Sequence, residues 1–387
     1  MIGRHQLPVS SPIALGALAR SAGAALARPA DGHDRLRTLL RGRFGARAAA
    51  LADSGTSALA LALRLAVGEG GTVAFPGYAC IDLAAAARLA GVRVRLYDLD
   101  PATLSPDLAS VEATLRRGAR AVVVAHLYGL PADVPGVAAI AAAHGAAVIE
   151  DAAQGAGGAL RGTLLGGFGA LTVLSFGRGK GTTGGRGGAL LAITPEWEEP
   201  VRAAGAALGA APPGWRDLAG AAAQWALGRP TLYGLPSAIP SLRLGEMVYH
   251  PAHEPAPLSA AAARLVRSAF EALPADLAVR RRNAERLRAA ARGTRIRVAE
   301  EVEGGENAWL RLPARVPEDA PMAPRLGVFR GYPLTLFEMA ELHPCLHEDE
   351  RDHPGALELR RTLATLPTHA HLTGADLDAL AAWMRRI

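Results

Sequence analysis

The sequence predicts an α/β protein in which helices cover both faces of a mainly parallel sheet. Short apolar runs alternate with Ala/Leu-rich helical stretches over residues 45–194, and half of the 387 residues are apolar while only a fifth are charged. Strands that alternate with helices in this way are typical of parallel sheets buried on both faces. The predicted strands are 72–75, 92–97, 121–125, 146–149, 171–176 and 188–193.

The remainder of the chain predicts an insertion and a smaller second unit. Residues 212–245 combine several prolines with tryptophan and tyrosine and indicate a helical insertion. Residues 258–292 have a long helical pattern that we expect to break at Pro274, and a last helix is predicted over 374–386. The expected units are an N-terminal arm over 1–40 that packs with the small domain, a large α/β domain over 41–250 and a small α+β domain over 251–387.

Composition excludes several classes of function. The formal charge is +6, but the arginines are scattered and are rarely close to aromatic residues, so no nucleic-acid platform is predicted. Cys80 and Cys345 lie too far apart in sequence for a CxxC pair, which argues against a disulfide framework or a structural zinc site. No apolar run reaches the roughly 18 residues that a membrane span needs. Residues 13–27 indicate a helix rather than a signal segment, so we expect a cytoplasmic protein.

The chain contains a single lysine, Lys180, whereas its other 41 cationic side chains are arginine. Arginine therefore replaces lysine wherever a permanent positive charge is sufficient. An ammonium group can lose its proton and attack a carbonyl carbon, and a guanidinium group cannot. Lys180 is accordingly the candidate nucleophile, although a lysine without function is the alternative.

Residues 53–57 precede a helical run and are a candidate phosphate site. A Gly-Thr turn at a helix start offers free N–H groups, a hydroxyl and the positive end of the helix dipole. Taken alone, the same residues are more typical of an ordinary helix cap. Tyr78 follows the next predicted strand, where an aromatic ring could stack on a flat cofactor.

Two further groups follow predicted strands. Glu150 and Asp151 come after strand 146–149, where an acid either caps the next helix or meets a pyridine nitrogen and keeps it protonated. Lys180 follows strand 171–176 on a glycine-rich loop. A Walker A loop would require serine or threonine after the lysine and a glycine at position 174, and neither is present.

These segments, in this order, resemble the DegT/DnrJ/StrS family of pyridoxal-5′-phosphate (PLP) dependent sugar aminotransferases. The resemblance is close over residues 45–194 and looser beyond them. It implies fold type I of the aspartate aminotransferases, with a seven-stranded sheet in the large domain and a homodimer with shared active sites. The matching motifs are SGTSALALAL, FPGYAC, LYDLDPATLSPD, AHLYGLPAD, VIEDAAQGAG, SFGRGK, GGALL and LPTHAHLT.

The resemblance also implies roles for individual residues. Lys180 would carry PLP as a Schiff base and move the proton, and Asp151 would pair with the pyridinium nitrogen. Gln154 would lie near the phenolic oxygen of the cofactor, and Tyr78 would stack on its ring. The implied phosphate ligands are Gly55, Thr56 and Ser175. The candidate substrate contacts are His126, Arg186, Tyr332 and His343, and His126 is as compatible with a structural role.

Three departures from the family pattern concern the substrate half of the site. Arg186 stands where the family has a glutamate, residues 247–253 lack the asparagine that the neighbouring subunit usually supplies, and the N-terminus lacks the usual Gly-Trp segment.

The expected reaction is amino transfer from L-glutamate or a similar donor to a keto group, through the pyridoxamine form of PLP. A nucleotide-linked sugar is the expected acceptor.

Other acceptors and functions stay open. A non-nucleotide or lipid-linked ketone is an alternative substrate, and a non-catalytic family member is an alternative function. Dehydratase relatives replace the lysine by histidine, so Lys180 argues against that class. Although His343 and His347 have a spacing that metal ligands use, Pro344 lies between them and no metal site is predicted. We expect the insertion over 212–245 either beside the mouth of the site or in the dimer interface. Its apolar residues also leave a peripheral contact with a membrane open.

Overall fold

The computed structural model describes residues 4–27, 32–237, 239 and 248–387. In this part of the chain a seven-stranded sheet has the order β1-β9-β8-β5-β4-β2-β3. Strand β9 is antiparallel to both of its neighbours, and the other paired strands run parallel. The strands of this sheet are β1 (Ala48–Ala52), β2 (Thr72–Pro76), β3 (Arg93–Tyr97), β4 (Ala121–Ala125), β5 (Ala147–Asp151), β8 (Leu171–Ser175) and β9 (Gly188–Ala192). Two short strands, β6 (Ala159–Leu160) and β7 (Thr163–Leu164), pair with each other outside it.

Helices cover both faces of this sheet, and the predicted α/β class is confirmed. The apolar side chains of the central strands are buried between the helices; those of β4, for example, are all buried. The helices in the first two thirds of the chain are α1 (Leu15–Ala27), α2 (Gly32–Phe44), α3 (Gly55–Val67), α4 (Asp82–Ala90), α5 (Leu108–Arg116), α6 (Val134–Ala143), α7 (Glu198–Ala207), α8 (Trp215–Leu227) and α9 (Gly234–Ser237).

The C-terminal part contains a second sheet of four strands, in the order β10-β12-β14-β13. Strand β11 pairs instead with β6 of the first half. The remaining elements are α10 (Ala260–Ala291), β10 (Arg297–Val298), β11 (Gly305–Glu306), β12 (Leu312–Arg315), β13 (Phe329–Arg330), α11 (Pro354–Thr362), β14 (Leu363–Leu366) and α12 (Gly374–Arg386). The domain boundaries at residues 40 and 250 stay predictions.

The expected break at Pro274 is wrong, because α10 continues through this proline. Proline removes one helical hydrogen bond, but α10 packs against α1, α2, α8 and α12, and this packing holds the helix on both sides of Pro274.

Strand β1 was not predicted. Its sequence AAALA has no β-branched residue, and only its pairing with β9 makes it a strand.

The N-terminal segment before α1 is attached to the C-terminal part of the chain. Arg4 forms an ion pair with Asp376 at 3.2 Å, and the Leu7 carbonyl meets Nε2 of the buried His369 at 2.9 Å. Burial lowers the pKa of His369 to about 4, so this ring is neutral at pH 7 and donates to the carbonyl. The segment therefore has a fixed path that leads toward Lys180.

Part of the insertion lies in the described residues and is helical, as expected, in α8 and α9. Residues 238 and 240–245 of the predicted insertion, and residues 246–247 after it, lie outside the described residues. No helix in the described part of the chain is long and apolar enough to cross a membrane. The described side chains also contain no cluster of three histidine, cysteine or acidic residues that could hold a metal ion.

Candidate active site

A cavity of about 460 Å³ lies at the carboxyl ends of β4, β5 and β8, next to the N-terminus of α3. This edge is where parallel α/β sheets bind ligands. The cavity brings together most of the predicted residues from five separate segments. The predicted residues that line it are Gly55, Thr56, His126, Asp151, Gln154, Ser175, Lys180 and Arg186.

The N-terminus of α3 forms one wall of the cavity. Ser54 caps the helix, and its hydroxyl accepts a hydrogen bond from the Ser57 N–H at 2.9 Å. A Cβ atom on Gly55 would lie 2.7 Å from Ser175 Cβ, so only glycine allows the helix to approach the end of β8 this closely. The free N–H groups of α3 and the hydroxyls of Thr56 and Ser175 therefore surround one place that suits a phosphate group.

Asp151 ends β5 and presents a carboxylate to the cavity. Its Oδ1 accepts a hydrogen bond from the Ala153 N–H at 3.0 Å, the one hydrogen bond that its carboxylate makes in the described structure. Burial raises the pKa of Asp151, although that hydrogen bond and the charge of Lys180 oppose the shift. A carboxylate that is partly withdrawn from water in this way is stabilised by a cationic ligand, such as a protonated ring nitrogen.

Glu150 points to the opposite side of β5 and is fully buried. It accepts hydrogen bonds from three backbone N–H groups, those of residues 166, 168 and 169, and from His126 Nε2 at 2.8 Å. Burial alone would raise the pKa of Glu150, but His126 and the backbone donors bring it below its ordinary value. His126 Nδ1 accepts from the Ala132 N–H at 3.0 Å, so Nε2 carries the proton. Both nitrogens of His126 are thus occupied, which favours its structural role over substrate contact.

Replacing Glu150 by alanine is expected to lower the free energy of unfolding by about 3–5 kcal/mol, because it leaves buried donors without an acceptor. Urea unfolding at neutral pH measures this change. Glu112→Ala is the matched control, since Glu112 pairs with Arg116 on an exposed helix surface and should cost less than about 1 kcal/mol. Equal small losses for both variants would show that Glu150 does not anchor the loop over residues 166–169.

Lys180 lies on the loop after β8 and lines the cavity together with Arg178. Gly179 has φ +77°, which favours glycine at this position, and its N–H donates to Ser11 Oγ at 3.0 Å. The N-terminal segment thus holds the lysine loop from the outside. Lys180 also lines a second cavity, on the side of the C-terminal sheet.

The second cavity has a volume of about 670 Å³ and shares Cys80, Gln154, Arg178 and Lys180 with the first. Gln154 is fixed between them, since its Oε1 accepts from the Tyr128 N–H at 3.0 Å and its Nε2 donates to the Tyr332 hydroxyl at 2.8 Å. A molecule in the second cavity would therefore have direct access to Lys180. Tyr332, a predicted substrate contact, lines this cavity.

Tyr78 does not face the first cavity. Its ring is fully buried, its hydroxyl accepts from the Tyr332 N–H at 2.6 Å, and the two rings lie 5.3 Å apart. Cys80 lines both cavities instead, and burial raises the pKa of its thiol, so it is neutral at pH 7. Stacking by Tyr78 on a ring in the first cavity is thus not supported. The sequence gives no signal for Cys80 at this site, because an isolated cysteine indicates neither a cofactor nor a substrate contact.

The remaining predicted substrate residues lie in different places. Arg186 is at the rim of the first cavity, 3.4 Å from Asp53, and His253 pairs with the same carboxylate at 2.5 Å. His343 lines neither cavity. It is exposed, and its Nε2 meets the Phe337 carbonyl at 2.9 Å. The structure therefore does not bring His343 to the site.

The known proteins that this chain resembles are aminotransferases. Residues 31–218 match the sequence model of the DegT/DnrJ/EryC1/StrS aminotransferase family. The chain is 38% identical over 151 residues to a UDP-N-acetyl-3-dehydro-alpha-D-glucosamine 3-aminotransferase of Acidithiobacillus ferrooxidans, covering 38% of this chain and 41% of that protein. It is 40% identical over 148 residues to an L-glutamine:2-deoxy-scyllo-inosose aminotransferase of Streptoalloteichus tenebrarius, covering 38% and 34%. The chain thus matches less than half the length of these relatives.

Solved structures extend the likeness in fold to nearly the whole chain. An aminotransferase from Streptoalloteichus hindustanus superimposes with a TM-score of 0.78 at 22% identity, over 100% of this chain and 98% of that one. A DegT DnrJ EryC1 StrS aminotransferase from Brucella abortus gives a TM-score of 0.74 at 21% identity, over 96% and 95%. The matched family model, these relatives and the shared fold agree with the resemblance of the sequence motifs. Residues 31–218 of the chain thus belong to the DegT/DnrJ/EryC1/StrS aminotransferase family.

Proposed function

We propose that the protein is a PLP-dependent aminotransferase that moves an amino group from L-glutamate or a similar donor to a keto group of a sugar. One observation carries this proposal: Lys180, the Asp151 carboxylate and the N-terminus of α3 meet in one cavity. A nucleophilic amine, an acid for a ring nitrogen and a phosphate cradle are the three groups that PLP requires.

The residues present fit this cofactor. The N–H groups of α3, with Thr56 and Ser175, would hold its phosphate, and Asp151 would hold the proton on its ring nitrogen. When bound, PLP supplies a ring that takes up the electrons of the broken C–H bond. Lys180 Nζ would attach the cofactor and then, once released, take the proton from the donor carbon. Cys80 and Gln154 line both cavities and would stand between the cofactor and the substrate.

The acceptor is expected to be a keto sugar linked to a nucleotide or a related cyclic ketone. The matched relatives are named for a UDP-linked sugar and for an inosose, and both names describe a ketone on a ring. The non-nucleotide alternative is supported by the missing asparagine in residues 247–253. A cytoplasmic location and a homodimer stay predictions; exposed apolar residues of α8 and beyond, Trp215, Leu227 and Leu235, would supply part of a subunit contact.

The experiment that tests this function converts the purified protein to its pyridoxamine form and adds candidate ketones. A true acceptor should restore the yellow absorbance of the bound cofactor, and the product should carry the amino group. The panel contains keto sugars with and without a nucleotide, inososes and simple keto acids. If the protein binds PLP but neither glutamate nor any other donor changes the spectrum, the proposal is wrong and a non-catalytic role is favoured.

A further inference from the structure

The loop that carries Lys180 has little rigidity of its own. Six of its eleven residues, 177–187, are glycine, and glycine loses the most backbone freedom when it is fixed. The Thr183 hydroxyl joins the two ends of the loop, because it lies 3.0 Å from both the Gly177 carbonyl and the Gly185 N–H. The hydrogen bond from the Lys180 N–H to the Gly177 carbonyl is long, at 3.4 Å. The direction of the Lys180 side chain therefore depends on contacts from outside the loop.

Ser11 of the N-terminal segment makes such a contact. Its Oγ accepts a hydrogen bond from the Gly179 N–H at 3.0 Å. A Cβ atom on Gly179 would lie 3.1 Å from Val9 Cγ1, so Val9 packs closely on the same residue. Val9 also lines the second cavity, together with Lys180. Residues 9–11 therefore hold the backbone directly before the lysine.

Arg280 of α10 holds this segment in place. The residue is only 2% exposed, and its Nε lies 2.6 Å from the Asp276 carboxylate. A buried ion pair of this kind adds little net stability, but it fixes the direction of the planar guanidinium. Nη2 of the same guanidinium donates to the Ser10 carbonyl at 3.1 Å. The ion pair therefore anchors the chain one residue before Ser11.

Arg280 also lies against the backbone on the other side of the lysine. A Cβ atom on Gly181 would lie 3.8 Å from Arg280 Nη1. The two sequence neighbours of Lys180, Gly179 and Gly181, thus contact the N-terminal segment and α10. Ser11 and Arg280 themselves line neither the first nor the second cavity. Any effect that they have on the chemistry must therefore pass through the lysine loop.

We propose that Ser11 and Arg280 are positioning residues for Lys180. The Ser11 hydroxyl holds the peptide group before the lysine, and Arg280 holds Ser11 through the neighbouring carbonyl, so that the amine is directed at the first cavity. Such preorganisation raises a rate because the loop does not have to be ordered anew in each reaction. The inference rests on the proposed function for the work of the lysine, but not for the order of the loop.

Amide hydrogen exchange of the cofactor-free protein tests the order of the loop. Ser11→Ala removes the acceptor of the Gly179 N–H and should speed exchange in peptides over residues 177–184 about 3- to 10-fold, as expected for the loss of one hydrogen bond. Ser11→Thr keeps the hydroxyl and should behave like the wild type. Ser10→Ala is the matched control, because Ser10 contributes its backbone carbonyl, which alanine also has.

The binding of two cofactor forms tests the effect on the lysine. PLP is attached to Lys180 in the proposed reaction, whereas pyridoxamine 5′-phosphate carries its own amino group and binds without the lysine. Ser11→Ala should therefore weaken the affinity for PLP about 3- to 10-fold relative to that for pyridoxamine 5′-phosphate, and Ser11→Thr should restore the ratio. The double variant Arg280→Gln/Asp276→Asn removes both buried charges together, so neither is left unpaired. It should change the ratio in the same direction.

The outcomes separate the positioning role from the proposed function. Ser11→Ala that exchanges within twofold of Ser10→Ala overturns the proposal. Ser11→Ala that weakens both cofactor forms equally also overturns it, since an equal loss indicates a purely structural contact. A wild type that binds neither form contradicts the proposed function, and the exchange rates then decide whether Ser11 orders the lysine loop. If the double variant does not fold, the serine variants decide by the same criteria.

Discussion

Lys180→Arg is expected to keep the fold and to abolish turnover, with a loss of about 10,000-fold or more. Arginine keeps the positive charge at this position, but its guanidinium does not lose a proton at any working pH. The variant therefore lacks the amine that attaches the cofactor and also the base that moves the proton, and a general base alone contributes about 100- to 10,000-fold. The rate of each half-reaction and the visible spectrum of the bound cofactor measure the loss.

The control for this substitution exchanges the same two residue types elsewhere. Arg351 is exposed on the surface, so Arg351→Lys adds a second amine to the chain and should leave the rate unchanged. Circular dichroism should show the same fold for both variants. A Lys180→Arg variant that turns over at more than a tenth of the wild-type rate would remove Lys180 from the chemistry.

Asp151→Asn is expected to slow proton abstraction from the donor about 30- to 1,000-fold. A neutral amide cannot hold the proton of a ring nitrogen by charge pairing, and losing such a buried charge-assisted contact costs about 2–4 kcal/mol in the transition state. Single-turnover kinetics with L-glutamate measure the effect. A half-reaction at wild-type speed would show that the Asp151 carboxylate takes no part.

The cofactor-free protein provides a separate check on Asp151. Burial raises the pKa of Asp151, so its charged form lowers the stability of the folded protein. This loss of stability is present at neutral pH. It disappears as the pH falls below the ordinary pKa of a carboxyl group. Cofactor-free Asp151→Asn should therefore unfold at the same or a higher temperature than the wild type at pH 7, and with no advantage in strong acid. A large destabilisation at pH 7 would mean that the rate loss reflects the fold.

The sequence predicted the central sheet and the first cavity because both depend on local patterns. Strand runs such as 121–125 are apolar throughout, and Asp151 and Lys180 directly follow strands whose carboxyl ends meet at one edge. The position of Tyr78 away from the first cavity has a local cause too. After β2 the chain turns into α4, and this turn decides that Cys80 rather than Tyr78 faces the cavity.

The second cavity was not predictable in the same way. Arg311 is one of 41 arginines, and nothing near it in sequence distinguishes it from arginines on the surface. It lines this cavity together with Tyr128 and Tyr332 only once the C-terminal sheet has folded beside the first half of the chain. Local patterns do not show which of many similar charges will line a cavity. His343 is the opposite case. Its sequence context suggested a substrate contact, but in the fold it lines neither cavity.

Reduction of the purified protein with borohydride, followed by peptide mass spectrometry, shows whether Lys180 carries the cofactor. Borohydride fixes a cofactor that is held on an amine. Because the chain has one lysine, the expected result is a single pyridoxyl group per chain, on the peptide that contains Lys180, and no such group in Lys180→Arg. A protein that retains no pyridoxyl group after incubation with PLP, or retains it at its N-terminal amine alone, would contradict the account.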